Sequence, residues 1–298
     1  MIDINSDDNY IFLAKTGISN IEPVYDATIN IYVNDELKEQ ITEYLKRGEA
    51  DPEYPDYYPY YDNFRYHKYR TSLRFNPGEK VKIEVFAENN KYHAWTEDII
   101  PKPLDIEHLD TFSYLKNDVS HMRLKITFTD FPHEKNFYRL ALLQRNNIYI
   151  NNDLAAFSDM NLFMDTSEDA VLNDGKVFTE STIFPQTENR NAVFDDTYLD
   201  GAYTMTASFS YSPHYYPQPD DHVSIDFKIC LISITEAQYY YLKALNIISS
   251  GNYDEYLSMP VIFPSNVEGG EGFVGFSAGT YKAFNVPDIT YETMHYVP

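Results

Sequence analysis

The residues best equipped for chemistry in this sequence are its tyrosines, and the densest run lies at 51–70. There Tyr54, Tyr57, Tyr58, Tyr60, Tyr61, Tyr66 and Tyr69 stand among three prolines and several charges. A tyrosine presents a large apolar ring with a polar tip at low entropic cost, which suits recognition of a sugar, a peptide or another protein. So many rings between prolines cannot share one regular core face, so the run reads either as a contact surface or as packing between domains. A shorter echo, Tyr211-Ser212-Pro213-His214-Tyr215-Tyr216-Pro217, adds Tyr215 and Tyr216 to the candidate contact residues. Asp195, Asp196 and Asp200 offer the oxygen density that a hard cation such as calcium takes, but without the EF-hand spacing. They read as an exposed turn before a strand. The eight histidines, among them His67, His93, His133, His214 and His222, are scattered and form no HExxH pair, so no metal site is expected. Neither GxSxG nor a P-loop occurs, and Gly269-Gly270-Glu271-Gly272 does not fit a dinucleotide fingerprint. No catalytic residue and no cofactor follow from these motifs; a Ser-His-Asp triad is a geometry rather than a sequence pattern.

The composition narrows the partners. The chain of 298 residues carries 23 Lys and Arg against 46 Asp and Glu, a formal charge of -23. Such a surface repels the phosphate backbone that supplies most nucleic-acid affinity, and it opposes adsorption to anionic lipid. Its plainest reading is solubility. A single cysteine, Cys230, excludes an intramolecular disulfide and any multi-cysteine metal or redox motif. It falls on the polar side of an alternating strand, as a small core or second-layer residue. No run of about twenty apolar residues and no signal-peptide pattern is present, so the chain as written neither spans a membrane nor exports itself.

The elements that must position the tyrosines are strands. Ala27, Ile29, Ile31 and Val33 alternate with polar residues before an Asn34-Asp35 turn, and residues 37–47 read either as a short helix or as the rest of a hairpin. Residues 71–75, a turn at Asn76-Pro77-Gly78-Glu79, and Val81, Ile83, Val85 and Ala87 read as strand, turn, strand, and residues 92–96 follow after Asn89-Asn90. This antiparallel meander predicts a β-sandwich of the immunoglobulin or transthyretin type over residues 1–103, ending at Pro101-Lys102-Pro103, since proline cannot donate to a ladder. Residues 104–298 are expected to form a larger antiparallel β domain, a sandwich or barrel, with one C-terminal helix. Within it, residues 122–128 and 137–143 suggest a second hairpin. Residues 146–195, rich in Asn, Asp, Ser and Thr, are expected to be irregular with short strands. Residues 202–211 are expected to pair with 223–234.

The strongest local signals lie at 223–276. Val223, Ile225, Phe227, Ile229 and Leu231 alternate strictly, the period of a strand with one face on a core. Thr235-Glu236-Ala237-Gln238 has the form of a capping box and predicts a helix over 236–249, burying Ala237, Tyr241, Ala244, Leu245 and Ile248 and ending at Gly251. The four glycines at 269–275 imply a tight turn or a close approach to another stretch of backbone.

The order of this strand, Ile-Ser-Ile-Thr-Glu, the Tyr-Tyr-Tyr-Leu helix, the Pro-Val loop, Ser265-Asn266-Val267 and Gly-Phe-Val-Gly-Phe resembles the C-terminal signature of a family of Bacteroidota lipoproteins, domain of unknown function 4249. Residues 27–33, Pro77-Gly78-Glu79, 94–101 and 195–201 fall where that family has its other recurrent segments, so the resemblance covers nearly the whole chain. It implies a secreted protein lipidated at an N-terminal cysteine and encoded beside TonB-dependent outer-membrane transporters, at the periplasmic or surface-exposed face of the outer membrane. It brings no catalytic residue. On this reading Met1-Ile2-Asp3-Ile4 is the end of a first strand whose signal peptide and acylated cysteine lie upstream, and the membrane is reached only through that lipid anchor. A cytoplasmic protein is the alternative. The expected function is non-enzymatic: an accessory partner of such a transporter, capturing a small nutrient. The other reading is a structural or adhesive surface protein making contacts through its tyrosine-rich loops.

Overall fold

The structure, a computed structural model, describes residues 2–16, 21–45, 68–173, 189–199, 201–249 and 260–295. The protein is mainly β, with several sheets and a C-terminal helix. Two compact units share the chain. The first takes Met1–Lys102, Ile234–Tyr241 and Phe263–Ala278, and the second Pro103–Ser233, Leu242–Ile262 and Gly279–Pro298.

In the first unit the strands are β1 (Ile2–Asp3), β2 (Asn9–Ile11), β3 (Ala14–Thr16), β4 (Ile21–Pro23), β5 (Thr28–Val33), β6 (Glu36–Ile41), β7 (Tyr44–Leu45), β8 (Lys68–Thr71), β9 (Lys80–Ala87) and β10 (Tyr92–Ile99). An antiparallel sheet runs β10-β9-β5-β6 and a smaller one β2-β8-β7. The alternation of β5 and β9 turns Ile29, Ile31, Val33, Val81 and Ile83 inward, where they meet Tyr69 of β8, with Ile11 and Tyr44 packed against the same core. That makes a sandwich. Asn34 and Asp35 take φ of 50° and 67°, the left-handed pair that a two-residue hairpin turn needs. Residues 37–47 therefore begin as a hairpin arm: β6 pairs with β5, while β7 pairs with β8 in the other sheet. The strand-turn-strand expected across residues 71–87 is not a paired hairpin. The Pro77-Gly78 turn carries the chain from one sheet to the other, and its Gly78 amide donates to the Ile100 carbonyl at 2.8 Å. The glycine cluster makes the close approach its composition implies. Glu268 and Trp95 exchange backbone hydrogen bonds, and Gly269, at φ 79°, lies so near that a Cβ would stand 2.2 Å from the His93 carbonyl oxygen.

The remaining strands are β11 (His108–Lys116), β12 (Val119–Thr129), β13 (Phe137–Ile150), β14 (Asp153–Leu162), β15 (Val193–Asp195), β16 (Ala202–Ser210), β17 (His222–Ile234), β18 (Phe276–Asn285) and β19 (Ile289–Thr290), with helices α1 (Glu236–Ile248) and α2 (Tyr291–His295); most lie in the second unit, while α1 and β18 each begin in the first and end in the second. One sheet runs β18-β17-β13-β14, with β15 on β13 and β19 on β17; the other runs β11-β12-β16. All five alternating residues of β17 are buried in one core with Leu124, Ile126, Phe128, Met205, Ala207 and Phe209 of the facing sheet. Each of these side chains other than Ala207 contributes roughly 1.5–3 kcal/mol by leaving water. This arrangement corrects two pairings. The strands at 122–128 and 137–143 are not a hairpin, because β12 pairs with β11 and β16 whereas β13 pairs with β14, β15 and β17. For the same reason β16 does not pair with β17: the two face each other across the core. Sequence alternation marks which side chains are buried but not which neighbour supplies the ladder.

Residues 146–162 are also more regular than expected. They complete β13 and form β14, joined by an Asn151-Asn152 turn with φ of 50° and 67°. None of the ten β14 residues is buried, so the strand carries no alternation to read. The buried face of α1 is rotated from the expected one: Gln238, Tyr239, Leu242, Ala244 and Asn246 are buried, while Ala237, Tyr241, Leu245 and Ile248 are half-buried. Buried Thr235 accepts a hydrogen bond from the Phe276 amide on its Oγ1 at 3.3 Å. Gly251 lies outside the described residues.

Candidate functional site

Of the tyrosines singled out above, Tyr54, Tyr57, Tyr58, Tyr60, Tyr61 and Tyr66 lie outside the described residues, as does His67. Tyr69 is not a contact residue. Its ring is 1 % exposed, and its hydroxyl donates to the Val24 carbonyl at 3.0 Å while accepting from the Ala27 amide at 3.1 Å. Burial raises its pKa. A ring at an inward position of β8 serves the sandwich core, and proximity in sequence to the tyrosine run does not change that. Tyr215 is half-buried and donates to Asp221 Oδ2 at 2.8 Å, closing its own loop; that hydrogen bond raises its pKa. Its neighbour Tyr216 is 72 % exposed and points its ring away from the core. The two adjacent tyrosines thus divide between holding the loop and presenting it.

The acidic run behaves as a turn. Asp195 Oδ1 accepts from the Thr197 amide, and Asp196 Oδ2 accepts from the Asn136 amide at 2.6 Å. Asp200 lies outside the described residues. The outward side of β9 and β10 carries a denser cluster: Glu84 accepts from Tyr32, Lys82 and His93 at 3.1, 3.2 and 3.1 Å, and the Lys82 ammonium lies 5.2 Å from the centre of the Trp95 ring. Burial opposes the charge on Glu84, but the three hydrogen bonds outweigh it and hold its carboxyl below the usual range. These groups satisfy one another.

Among the described residues, one arrangement with room for a ligand lies in the second unit, just beyond β14. A cavity of about 540 Å3 is walled by residues 163–167 and Asn173 on one side and by Asn189 and Arg190 on the other. That volume falls within the roughly 300–1,000 Å3 of small-molecule sites. Its frame is held by a buried carboxylate. Asp169 accepts from the amides of Val171, Leu172 and Thr206 and from the Tyr203 hydroxyl, whose pKa is pushed up to about 12 by burial and by the Asp169 charge. The backbone of Asp165 exchanges hydrogen bonds with Ser208 of β16. On the opposite wall, Asn189 donates to the Leu172 and Val193 carbonyls and accepts from Asn246 of α1, which also accepts from the Asn191 amide. Sequence reading missed this site. Its one signal was the excess of Asn, Asp, Ser and Thr between 146 and 195, because side chains that turn the backbone back on themselves replace regular pairing there.

A mainly β protein of two sandwich cores, with an open polar-walled cavity in the second, is the class that the fold and this site define. A family model described as domain of unknown function (DUF4249) matches residues 6–283, and the chain belongs to that family. No curated protein matches the sequence. Among solved structures, one described as "Complete structure of manganese lipoxygenase of Gaeumannomyces graminis and partial structure of zonadhesin of Komagataella pastoris" aligns at 9 % identity over 95 % of this chain and 89 % of that one, with a TM-score of 0.13, too slight to bear on the fold.

Proposed function

We propose that the protein is a non-enzymatic cell-envelope lipoprotein of Bacteroidota that captures a small nutrient for a TonB-dependent outer-membrane transporter. The observation that carries ligand capture is the open cavity of about 540 Å3, whose described walls are framed by partly buried side-chain hydrogen bonds. A preformed, hydrogen-bonded frame limits the ordering cost of binding. The family resemblance supports an envelope location at the outer membrane through a lipid anchor. Metabolic labelling with palmitate and affinity capture from solubilised outer membranes test this reading: a labelled protein that brings down a TonB-dependent transporter supports it, and an unlabelled cytosolic protein with no transporter overturns it.

The second reading, an adhesive or structural surface protein, is favoured by the exposed Tyr216 loop and by the apolar side chains of Leu154, Phe157 and Ile150 exposed on the β13–β14 hairpin. It predicts that replacing Tyr216 and Phe157 by serine weakens cell-surface or transporter contacts while ligand uptake persists.

A further inference from the structure

The sheet β18-β17-β13-β14 has a second side, turned away from the core, that carries rings and charges in a definite order. Phe157 of β14 stands opposite Asn147 of β13, and Asp159 stands opposite Arg145. Asn147 Nδ2 reaches the next strand and donates to Asp226 Oδ2 at 2.7 Å. Two residues further along β17, on the same side, the Lys228 ammonium lies 3.8 Å from the centre of the Tyr281 ring of β18. Four neighbouring strands thus contribute to one open face. Its two rings, Phe157 and Tyr281, are each 59 % exposed. They are three strand spacings apart, about 14 Å across the sheet.

What lies between the rings is polar and balanced. Arg145 Nε and Nη2 donate to the two carboxylate oxygens of Asp159 at 2.7 and 2.6 Å. Asp226 and Lys228 add one charge of each sign, so the four charges cancel. Hydrogen-bonding capacity is left over in both senses: Asp226 Oδ1 and the Asn147 side-chain oxygen accept from no described residue, and the Lys228 ammonium meets no described carboxylate. The Arg145 guanidinium lies 4.9 Å from the centre of the Phe157 ring, so a cation holds each ring from one side.

These features separate the classes of occupant. A protein partner or a second copy wants a contiguous apolar centre with charge kept to the rim, whereas here charge takes the centre and the rings take the sides. A bilayer would have to bury the same central charges. A charged small molecule finds no net counter-charge and must compete with ion pairs already made. An uncharged chain whose hydroxyls both donate and accept, and whose rings present faces of C–H groups, matches the order of ring, polar centre and ring.

We propose that this sheet face binds a neutral oligosaccharide, with one sugar stacked on Phe157, another on Tyr281, and the hydroxyls between them bonded to Asn147, Asp226 and Lys228. The site shares no residue with the cavity and goes beyond both readings above, since it needs neither a transporter nor a lipid anchor. It is tested by isothermal titration of the purified chain with neutral tetrasaccharides of glucose, xylose and N-acetylglucosamine. Tetragalacturonate and the tetrasaccharide of glucosamine serve as anionic and cationic controls of similar shape. The expected result is binding of at least one neutral tetrasaccharide, weakened about tenfold or more, the equivalent of ~1.4 kcal/mol, by Phe157→Ala and by Tyr281→Ala. Both variants should keep the thermal midpoint of the parent, since both rings are exposed. Phe163→Ala, at the cavity, should bind as the parent does. Binding of no neutral tetrasaccharide, equal binding by the parent and the two ring variants, loss of binding in Phe163→Ala alone, or tighter binding of either charged control overturns the proposal. Palmitate labelling does not depend on this face, so failure here leaves the envelope reading standing.

Discussion

Strands β17 and β14 lie in the same sheet of the second unit and are bound to opposite fates. On β17 every second side chain from Val223 to Leu231 is buried, and Phe227 at 1 % exposure sits within 5.1–5.5 Å of the rings of Phe209, Tyr211 and Phe284. On β14 Phe157 is 59 % exposed, and the Arg145 guanidinium lies over its ring at 4.9 Å. Both strands are laddered to β13, β17 with a second partner in β18 and β14 on one side alone, but a ladder does not by itself bury a side chain. The difference is the facing sheet: β17 is covered by β12 and β16, and the β14 strand lies at the edge, held by its turn and by β13. Regular backbone and buried side chains are thus independent properties, and each has its own cause.

Substitutions measure that separation. Phe227→Ala should cost the most, ~3–5 kcal/mol, through the cavity it leaves among three rings; urea denaturation gives the figure, and a loss under about 1 kcal/mol would mean that the facing sheet does not cover β17. Asn246→Leu removes the amide that ties α1 to Asn189 and Asn191, and should cost about 1–3 kcal/mol through the unsatisfied groups left behind. Asn152→Val tests what holds β14. A β-branched residue at φ 67° should cost ~1–2 kcal/mol and loosen the hairpin selectively, seen as faster amide exchange in 153–162 with β17 unchanged; uniform exchange across the sheet would show that the turn does not set the edge strand apart.

The outward network around Glu84 gives a smaller effect with a definite pH sign. Its folded-state pKa is lowered, so its contribution is present above the ordinary glutamate range and is lost as the pH falls through the lowered folded value. Glu84→Gln should flatten the acid side of the stability profile of the first unit and leave the neutral side little changed; an unaltered acid limb would show that Tyr32, Lys82 and His93 hold nothing in place through it. Phe157→Ala should have the smallest effect, within about 0.5 kcal/mol. A loss as large as that of Phe227→Ala would erase the contrast between the two strands.

Much of the β framework was legible in the sequence, for identifiable reasons. Ile29, Ile31 and Val33, and Val223 through Leu231, alternate because one face of each strand meets a core, and Asn34-Asp35 marks its turn because asparagine and aspartate tolerate left-handed backbone. The pairing partners were not legible. Residues 122–128 and 137–143 have the same pattern whether they form a hairpin or face each other across a core. The candidate site was legible least. Tyr69 belongs to a run of tyrosines in sequence but to the core in space, and nothing in its neighbours distinguishes it from Tyr216. The cavity wall of residues 163–167 drew no notice because its residues have neither period nor motif.

The sequence alone therefore determined that this chain is built of strands, where several of them turn, that the helix begins near Thr235, and that its formal charge is -23. Those are local or additive properties, set by each residue's own backbone preference, by its immediate neighbours or by a sum over the chain. Only the tertiary structure decided that β12 and β13 belong to different sheets, that α1 buries Leu242 and Asn246, and that Asp165, Asn173 and Arg190 line one cavity. Each of these depends on which distant segment lies opposite, and a side chain carries no record of its partner until the core closes around both.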